Sequence, residues 1–396
     1  MNHMHWAACS VIAVVFSGLA ADPSAIAAAA SPDRPGNLWA YVGTYTKGTD
    51  SQGIYRLELD LVRGELKSCS LAAEAVNPSF VAIHPSRRWL YAVGEVGGGP
   101  GKKNGEVSAF SIEPHSGRLR LLGHQSSGGI GPCHVLVDRS GRCAVVANYG
   151  SGSLACLRIE DDGRLDAASS IVRHVGSSVN PRRQEGPHAH ATTLDAANRL
   201  AFVCDLGLDK IMIYRLDPVR GLLTPSDPSS VGVVPGAGPR HFAFHPNGRF
   251  AYVIDELASQ VDVFAYESSP GRLAAIQSIS TLPPDFHGNN TAAEIEVHPS
   301  GKFLYASNRG HDSIAMFSIE ERSGMLHPLG HASAQGRTPR NFSIDPSGVF
   351  LLVANQDSGN VVLLRIGGDG KLTPTGSSLS VAAPVCVQMM PPRENE

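Results

Sequence analysis

The chain has 396 residues, 17% charged and 42% hydrophobic, with 33 Lys and Arg against 36 Asp and Glu for a formal net charge of -3. That balance excludes a polybasic nucleic-acid binder and an acidic disordered chain, so no nucleic-acid partner is expected. Gly (42) and Pro (27) are abundant while aromatics reach only 6%, which calls for frequent turns and few helices.

The first element in chain order is a leader. Residues 7–21 read AACSVIAVVFSGLAA, an apolar run of signal-peptide length, followed by small residues ending in AIAAAA at Ala30. The preceding MNHMHW offers His3 and His5 where Lys or Arg is usual. The run is too short for a comfortable span. Residues 1–30 are therefore read as a cleaved signal peptide, and the mature chain as exported (periplasmic or extracellular), without a stable membrane span. Six cysteines remain, Cys69, Cys133, Cys143, Cys156, Cys204 and Cys386, with no CxxC or metal-ligand spacing. Cys143 and Cys156 flank an expected hairpin and would face each other if oxidised; buried free thiols are the simpler expectation.

A repeat follows. Its anchor is a turn, seen as HPSRR at His84, DRSGR at Asp138, DAANR at Asp195, HPNGR at His245, HPSGK at His298 and DPSGV at Asp345, spaced 47 to 57 residues apart. Before each anchor sits a short apolar segment (PSFVAI, PCHVLV, AHATTL, PRHFAF, AAEIEV, PRNFSI), and after each a second (WLYAVGE, CAVVANY, LAFVCDL, FAYVIDE, FLYASNR, FLLVANQ). These are β-branched or aromatic and bounded by Pro, Asx and Gly, the pattern of antiparallel hairpins. Two further segments complete each unit, as in VDVFAYE and RLAAIQSIS. Four strands in about 50 residues is the signature of a propeller blade. The opening WAYVGTYT matches a second strand and the closing PVCVQM a first strand, so the termini share one blade. The reading is all-β: a seven-bladed β-propeller over residues 36–390, four antiparallel strands per blade, the last blade closed by N- and C-terminal strands, with 391–396 as a tail. Inner strands start near Ser79, Cys133, His190, Arg240, Ala293, Arg340 and Val385.

In such a ring the start of each inner strand and the end of the next lie on one face. His134, His190, Arg240, His241, Glu294, Arg340 and Asn341 stand at the first place; Glu95, Asn148, Asp205, Asp255, Glu256, Asn308, Arg309 and Asn355 stand at the second. His, Arg and carboxylates thus converge on one channel mouth. Strand-ending Asn and Asp often serve only as turn formers, and His84, His245 and His298, each before Pro at the other end, read as structural. In GPHAH the alternation of a strand would turn His188 and His190 to one face. Arg240 opens an inner strand and Glu256 closes its neighbour, which brings the pair within side-chain reach. Guanidinium groups such as Arg309 and Arg340 suit phosphate or carboxylate recognition.

YVGTYT at Tyr41, RRQEGPHAH ending at His190, GPRHFAFHPNGRFAYVIDEL from Gly238 and GNNTAAEIEVHPSGKFLYASNRGHDSIA from Gly288 carry a resemblance over nearly all of the mature chain. The sequence resembles the seven-bladed propeller lactonases, which include the propeller-type 6-phosphogluconolactonase and fungal carboxymuconate cyclase. The resemblance implies hydrolysis of a small sugar-acid lactone, with His190, Arg240 and Glu256 catalytic and Arg309 and Arg340 beside them. His188, His134, His241 and Glu294 complete the expected substrate-binding set. His190 suits acid/base work near neutral pH and Arg240 suits carbonyl polarisation, while Glu256 would need a raised pKa to share the acid/base role or would serve to orient His190. The GxSxG elbow of a serine nucleophile is absent. A small-molecule lactone is the expected partner, with no cofactor and no metal; the leader sets the chain apart from cytosolic relatives acting on phosphorylated sugar lactones. The alternatives are a muconate-type lactonising cycloisomerase, a non-catalytic exported binding module, and a metal-dependent lactonase using Glu294 and Asn308.

Overall fold

In the computed structural model, which describes Met1, residues 36–97 and residues 104–391, seven four-stranded antiparallel sheets follow one another around a ring. Blade 1 begins with the inner strand Val81–Ile83, blade 2 with Pro132–Val137, blade 3 with Ala189–Leu194, blade 4 with Pro239–Phe244, blade 5 with Thr291–Val297 and blade 6 with Pro339–Ile344. Blade 7 is built from both ends of the chain: Pro384–Met390 is its inner strand and pairs with Asn37–Thr44, which leads to Gly53–Asp60 and Glu65–Glu74. The seven-bladed all-β reading holds, including the shared last blade. Beyond Met1, the proposed leader lies outside the described residues, as do residues 392–396. No helix among the described residues is long and apolar enough to cross a membrane.

The core is divided among the gaps between blades. Alternate side chains of a strand face opposite sides of its sheet, and here each side meets a different neighbour. Leu38, Ala40 and Val42 pack on Phe350, Leu352 and Ala354 of blade 6, whereas Trp39 and Tyr41 of the same strand pack on Leu90, Ala92 and Phe110 of blade 1. Seven such clusters fill the seven gaps. This explains why the second strands are apolar throughout: both faces are buried.

Two polar latches repeat around the ring. Tyr41, Tyr91, Tyr252 and Tyr305 donate their hydroxyls to the carbonyls of Gly117, Gly163, Gly324 and Gly370 in the next blade, at 2.8 to 3.0 Å. The anchor histidines do the same at the other end: His84, His245 and His298 donate from Nε2 to the carbonyls of Gly141, Gly301 and Gly348 at 2.8 to 2.9 Å. Gly301 has φ +72, and a Cβ there would lie 2.7 Å from His245, so both its conformation and the close approach demand glycine. Where the anchor is Asp, the carboxylate closes its own turn; Asp345 Oδ1 accepts from the amides of Val349 (2.8 Å) and Phe350 (2.6 Å), and Asp138 in addition accepts from Asn198 Nδ2 of the next blade at 2.8 Å. Both residue types are structural, as the sequence suggests. Cys143 and Cys156 are free buried thiols. They pair with Arg158 and Val145 respectively, so they are diagonal and not directly opposed.

Candidate active site

The mouth is made by an irregularity that recurs in the inner strands. In blade 2, Pro132 pairs with Asn148 and His134 with Ala147, leaving Cys133 as an extra residue. The same shift falls on His190, Arg240 and Arg340, and in blade 7 on Val385 between Pro384 and Cys386. A β-bulge takes one residue out of the ladder and re-aims its side chain. Ser79, Cys133, His190, Arg240, Arg340 and Val385 accordingly line one cleft, together with Tyr45, Phe80, Glu95, His241 and Asn341.

A second ring comes from the residue that follows each second strand: Tyr45, Glu95, Tyr149, Leu206 and Glu256 each donate their amide to the loop entering the inner strand. Glu256 gathers three guanidinium groups. Its Oε2 meets Arg240 Nε at 3.1 Å and Arg309 Nη2 at 2.9 Å, and its Oε1 meets Arg183 Nη2 at 2.6 Å. Burial alone would raise its pKa, but Arg309, Arg240 and Arg183 outweigh it and hold the carboxyl at about 2. Glu256 is therefore a fixed anion that orients arginines. Neither role read from the sequence is what the structure displays: the pKa is depressed and not raised, and the partners of the carboxylate are arginines and not His190.

Arg240 is buried and also donates from Nη1 to the Ala293 carbonyl at 2.6 Å. Arg340 donates from Nη2 to Tyr45 Oη at 3.0 Å, with its guanidinium 5.4 Å from the tyrosine ring centre. Tyr45 in turn donates to Glu95 Oε2 at 3.0 Å. His190 is buried, and its Nδ1 has no hydrogen-bond partner among the described residues. Burial first, then Arg240 and His241, push its pKa well below the ordinary histidine value, so the imidazole is neutral at pH 7 and keeps a lone pair.

The structure divides the nine sequence-predicted residues. His190, Arg240, Glu256, Arg309 and Arg340 come together at the mouth. His134, His241 and Glu294 form a layer beneath: the His241 ring lies 5.1 Å from that of His190 and 5.7 Å from that of His134, and His241 Nδ1 donates to Glu294 Oε1 at 2.8 Å. Asn341 Nδ2 donates to the same carboxylate, on Oε2. Below this layer a cavity of about 410 Å³ opens toward the opposite end, lined in part by His134, Thr193, Glu294, Glu296 and Gln388. His188 departs from expectation. The bulge at His190 breaks the two-residue alternation, so the two histidines do not share a face. The His188 ring instead stacks on Tyr149 at 4.4 Å and donates from Nδ1 to the Tyr149 carbonyl at 3.0 Å, with Nε2 3.3 Å from Glu185. Asn148 and Asn355 are the turn-tying groups expected, and Asn308 acts in the same way, each donating to a carbonyl after the preceding blade's outer strand.

Tyr45, Tyr149 and Arg183 escaped the sequence reading. For the tyrosines the signal was present: each stands one step beyond the second strand, in register with Glu256 and Arg309. Arg183 lies in the long connection between Arg173 and Ala189, which has no counterpart in other repeats.

Comparison with known proteins agrees with this architecture. Residues 39–389 match the family described as "Lactonase, 7-bladed beta-propeller". The chain is 40% identical to a 6-phosphogluconolactonase of Bacillus subtilis over 351 residues, 88% of this chain and 97% of the relative. It is 34% identical to a 6-phosphogluconolactonase of Formosa agariphila, over 88% of this chain and 98% of that one. The solved structure of the periplasmic gluconolactonase of Pseudomonas aeruginosa superposes with a TM-score of 0.84 at 34% identity, covering 90% of this chain and all of that one (100%). The chain belongs to the seven-bladed β-propeller lactonase family.

Proposed function

We propose that the protein is an exported lactonase that opens a small sugar-acid lactone with water at the channel mouth. The observation that carries this reading is a neutral, buried His190 beside Arg240 and Arg340, with Glu256 pinning the guanidinium array. His190 takes a proton from the attacking water as its oxygen bonds to the carbonyl carbon. Arg240 and Arg340 receive the charge that develops on the carbonyl oxygen. Collapse of the tetrahedral adduct breaks the ring C–O bond, and the imidazolium returns its proton to the departing oxygen, giving a hydroxy acid. A depressed pKa makes His190 a modest base but a ready donor in this second half. Among the described residues the mouth sets Arg183, Arg240, Arg309 and Arg340 against Glu95, Glu256 and, at the rim, Glu185, a surplus of positive charge that favours acidic substrates and products. The relatives' names support the lactone class; the apolar leader supports export.

The test is a panel of lactones, phosphorylated and not, followed by acidification with the leaderless protein. His190→Ala and Arg240→Ala are each expected to lose roughly 100-fold or more in turnover with the β-sheet circular dichroism retained. No acidification above the spontaneous rate for any lactone, or full turnover by both variants, defeats the reading.

A further inference from the structure

Three of the four mouth arginines are fixtures. The Arg240 side chain is 4% exposed and that of Arg309 11%, both holding Glu256 and a backbone carbonyl; Arg340 is tied to Tyr45. Arg183 differs in every respect. Its side chain is 38% exposed, and both its bonds run through Nη2, to Glu256 Oε1 at 2.6 Å and to Tyr149 Oη at 3.3 Å. It thereby bridges blades 2 and 4 across the sector of blade 3, whose inner strand carries His190. Its backbone, however, is firmly placed. The neighbouring Gln184 is fully buried, donating from Nε2 to the Leu206 carbonyl at 2.9 Å and Asp209 Oδ1 at 2.7 Å, while its amide meets the Asn180 carbonyl at 2.7 Å. Arg183 is thus an arm fixed at its base whose head group is partly exposed to solvent.

The space left among the mouth side chains is about 10 Å³, room for about one water and far too little for a sugar ring. A sugar lactone enters only if part of the mouth moves aside. When Arg183 leaves, Glu256 gives up the partner of its Oε1 but stays ion-paired to Arg240 and Arg309 through Oε2. Nε and Nη1 remain available for a planar, two-point grip on an anion. Resting on the lactonase reading, we infer that Arg183 is the specificity residue of this mouth: it exchanges Glu256 for a second anionic group on the lactone, a phosphate or a carboxylate distant from the reacting carbonyl.

The experiment compares wild type with Arg183→Gln and Arg183→Lys on three lactones: glucono-δ-lactone (uncharged), 6-phosphogluconolactone, and a glucarolactone bearing a free carboxylate. The ratio of kcat/KM for anionic over uncharged lactone is expected to fall about 10- to 100-fold in Arg183→Gln, the worth of one or two charge-assisted hydrogen bonds, mainly through KM. Arg183→Lys restores part of it. A loss confined to the phosphate or to the carboxylate compound tells which anion is read. An unchanged ratio in Arg183→Gln overturns the inference. If wild type opens none of the three, the lactonase reading fails separately, and calorimetry with 6-phosphogluconate against gluconate decides. Tighter binding of the phosphorylated acid that vanishes in Arg183→Gln upholds the anion-reading role; equal binding by the two proteins ends it.

Discussion

Replacing Glu256 by Gln keeps the side chain's shape and removes one charge. In the folded protein the carboxyl titrates at about 2 against an ordinary 4.5, and at 1.36 kcal/mol per pKa unit the difference is worth about 3 kcal/mol. The carboxylate is nearly buried (8% exposed), so solvent screens little of this except along the half-open Arg183 arm. Loss of one partner from a buried ion cluster costs a similar amount on general grounds. Because the folded pKa is depressed, the contribution is complete above 4.5 and disappears as pH falls through about 2. Urea unfolding of wild type and Glu256→Gln, between pH 7 and pH 3, should therefore give a deficit of about 3 kcal/mol at neutrality that shrinks to about 1 kcal/mol at pH 3. A variant as stable as wild type at pH 7, or a deficit independent of pH, would show that the three guanidiniums do not depend on this anion.

Acid should inactivate through His190: the neutral imidazole is the working form, so kcat/KM falls as pH drops through its depressed pKa, and the acid limb is expected below 6.5. A limb at or above 6.5 contradicts the burial argument. Glu296, raised first by burial and then by Glu294 to about 8, carries the opposite sign. Its neutral form stabilises the fold fully below 4.5, and that benefit is lost as pH rises through about 8; because Glu296 is only partly buried and faces the cavity, solvent screens part of the cost, and Glu296→Gln should gain about 2 kcal/mol over wild type at pH 9, read by denaturant midpoints, and equal midpoints reject it. Tyr252→Phe, which removes the hydroxyl bonded to Gly324, is expected to cost about 1 kcal/mol in urea unfolding. Thiol titration of protein unfolded without reductant should find Cys143 and Cys156 free, and dithiothreitol should leave Tm unchanged; a reductant-sensitive Tm points to a bond between them.

The ring was legible because each blade repeats its own punctuation. HPSGK and DPSGV differ in the anchoring residue, yet both end in a turn glycine with positive φ, Gly301 and Gly348, and both separate two apolar runs. The open ends were legible for the same reason, since PVCVQM completes the unit that WAYVGTYT begins. The Arg240–Glu256 contact follows from strand pairing alone. His188 and His190 depart from strict alternation because a bulge inserts a residue without changing the hydrophobic pattern on either side. Bulges leave little trace in a single sequence; here the trace is the Pro before Arg240, Arg340 and Cys133, recognisable only once the ladder is known. Arg183 lies within RRQEGPHAH, yet a connection with no repeat to align has no register and gave no sign of where its side chain would go.

A side chain lifted out of the ladder is also relieved of duty to it. Cys133, His190, Arg240, Arg340 and Val385 each occupy a slot whose neighbours keep their backbone partners whatever stands there. The rim can thus be respelled one letter per blade without disturbing the strand ladders, except that a change at Arg240 also gives up its ties to Glu256 and the Ala293 carbonyl. That separation lets a single scaffold explore new chemistries by exchanging a handful of residues scattered evenly along the gene.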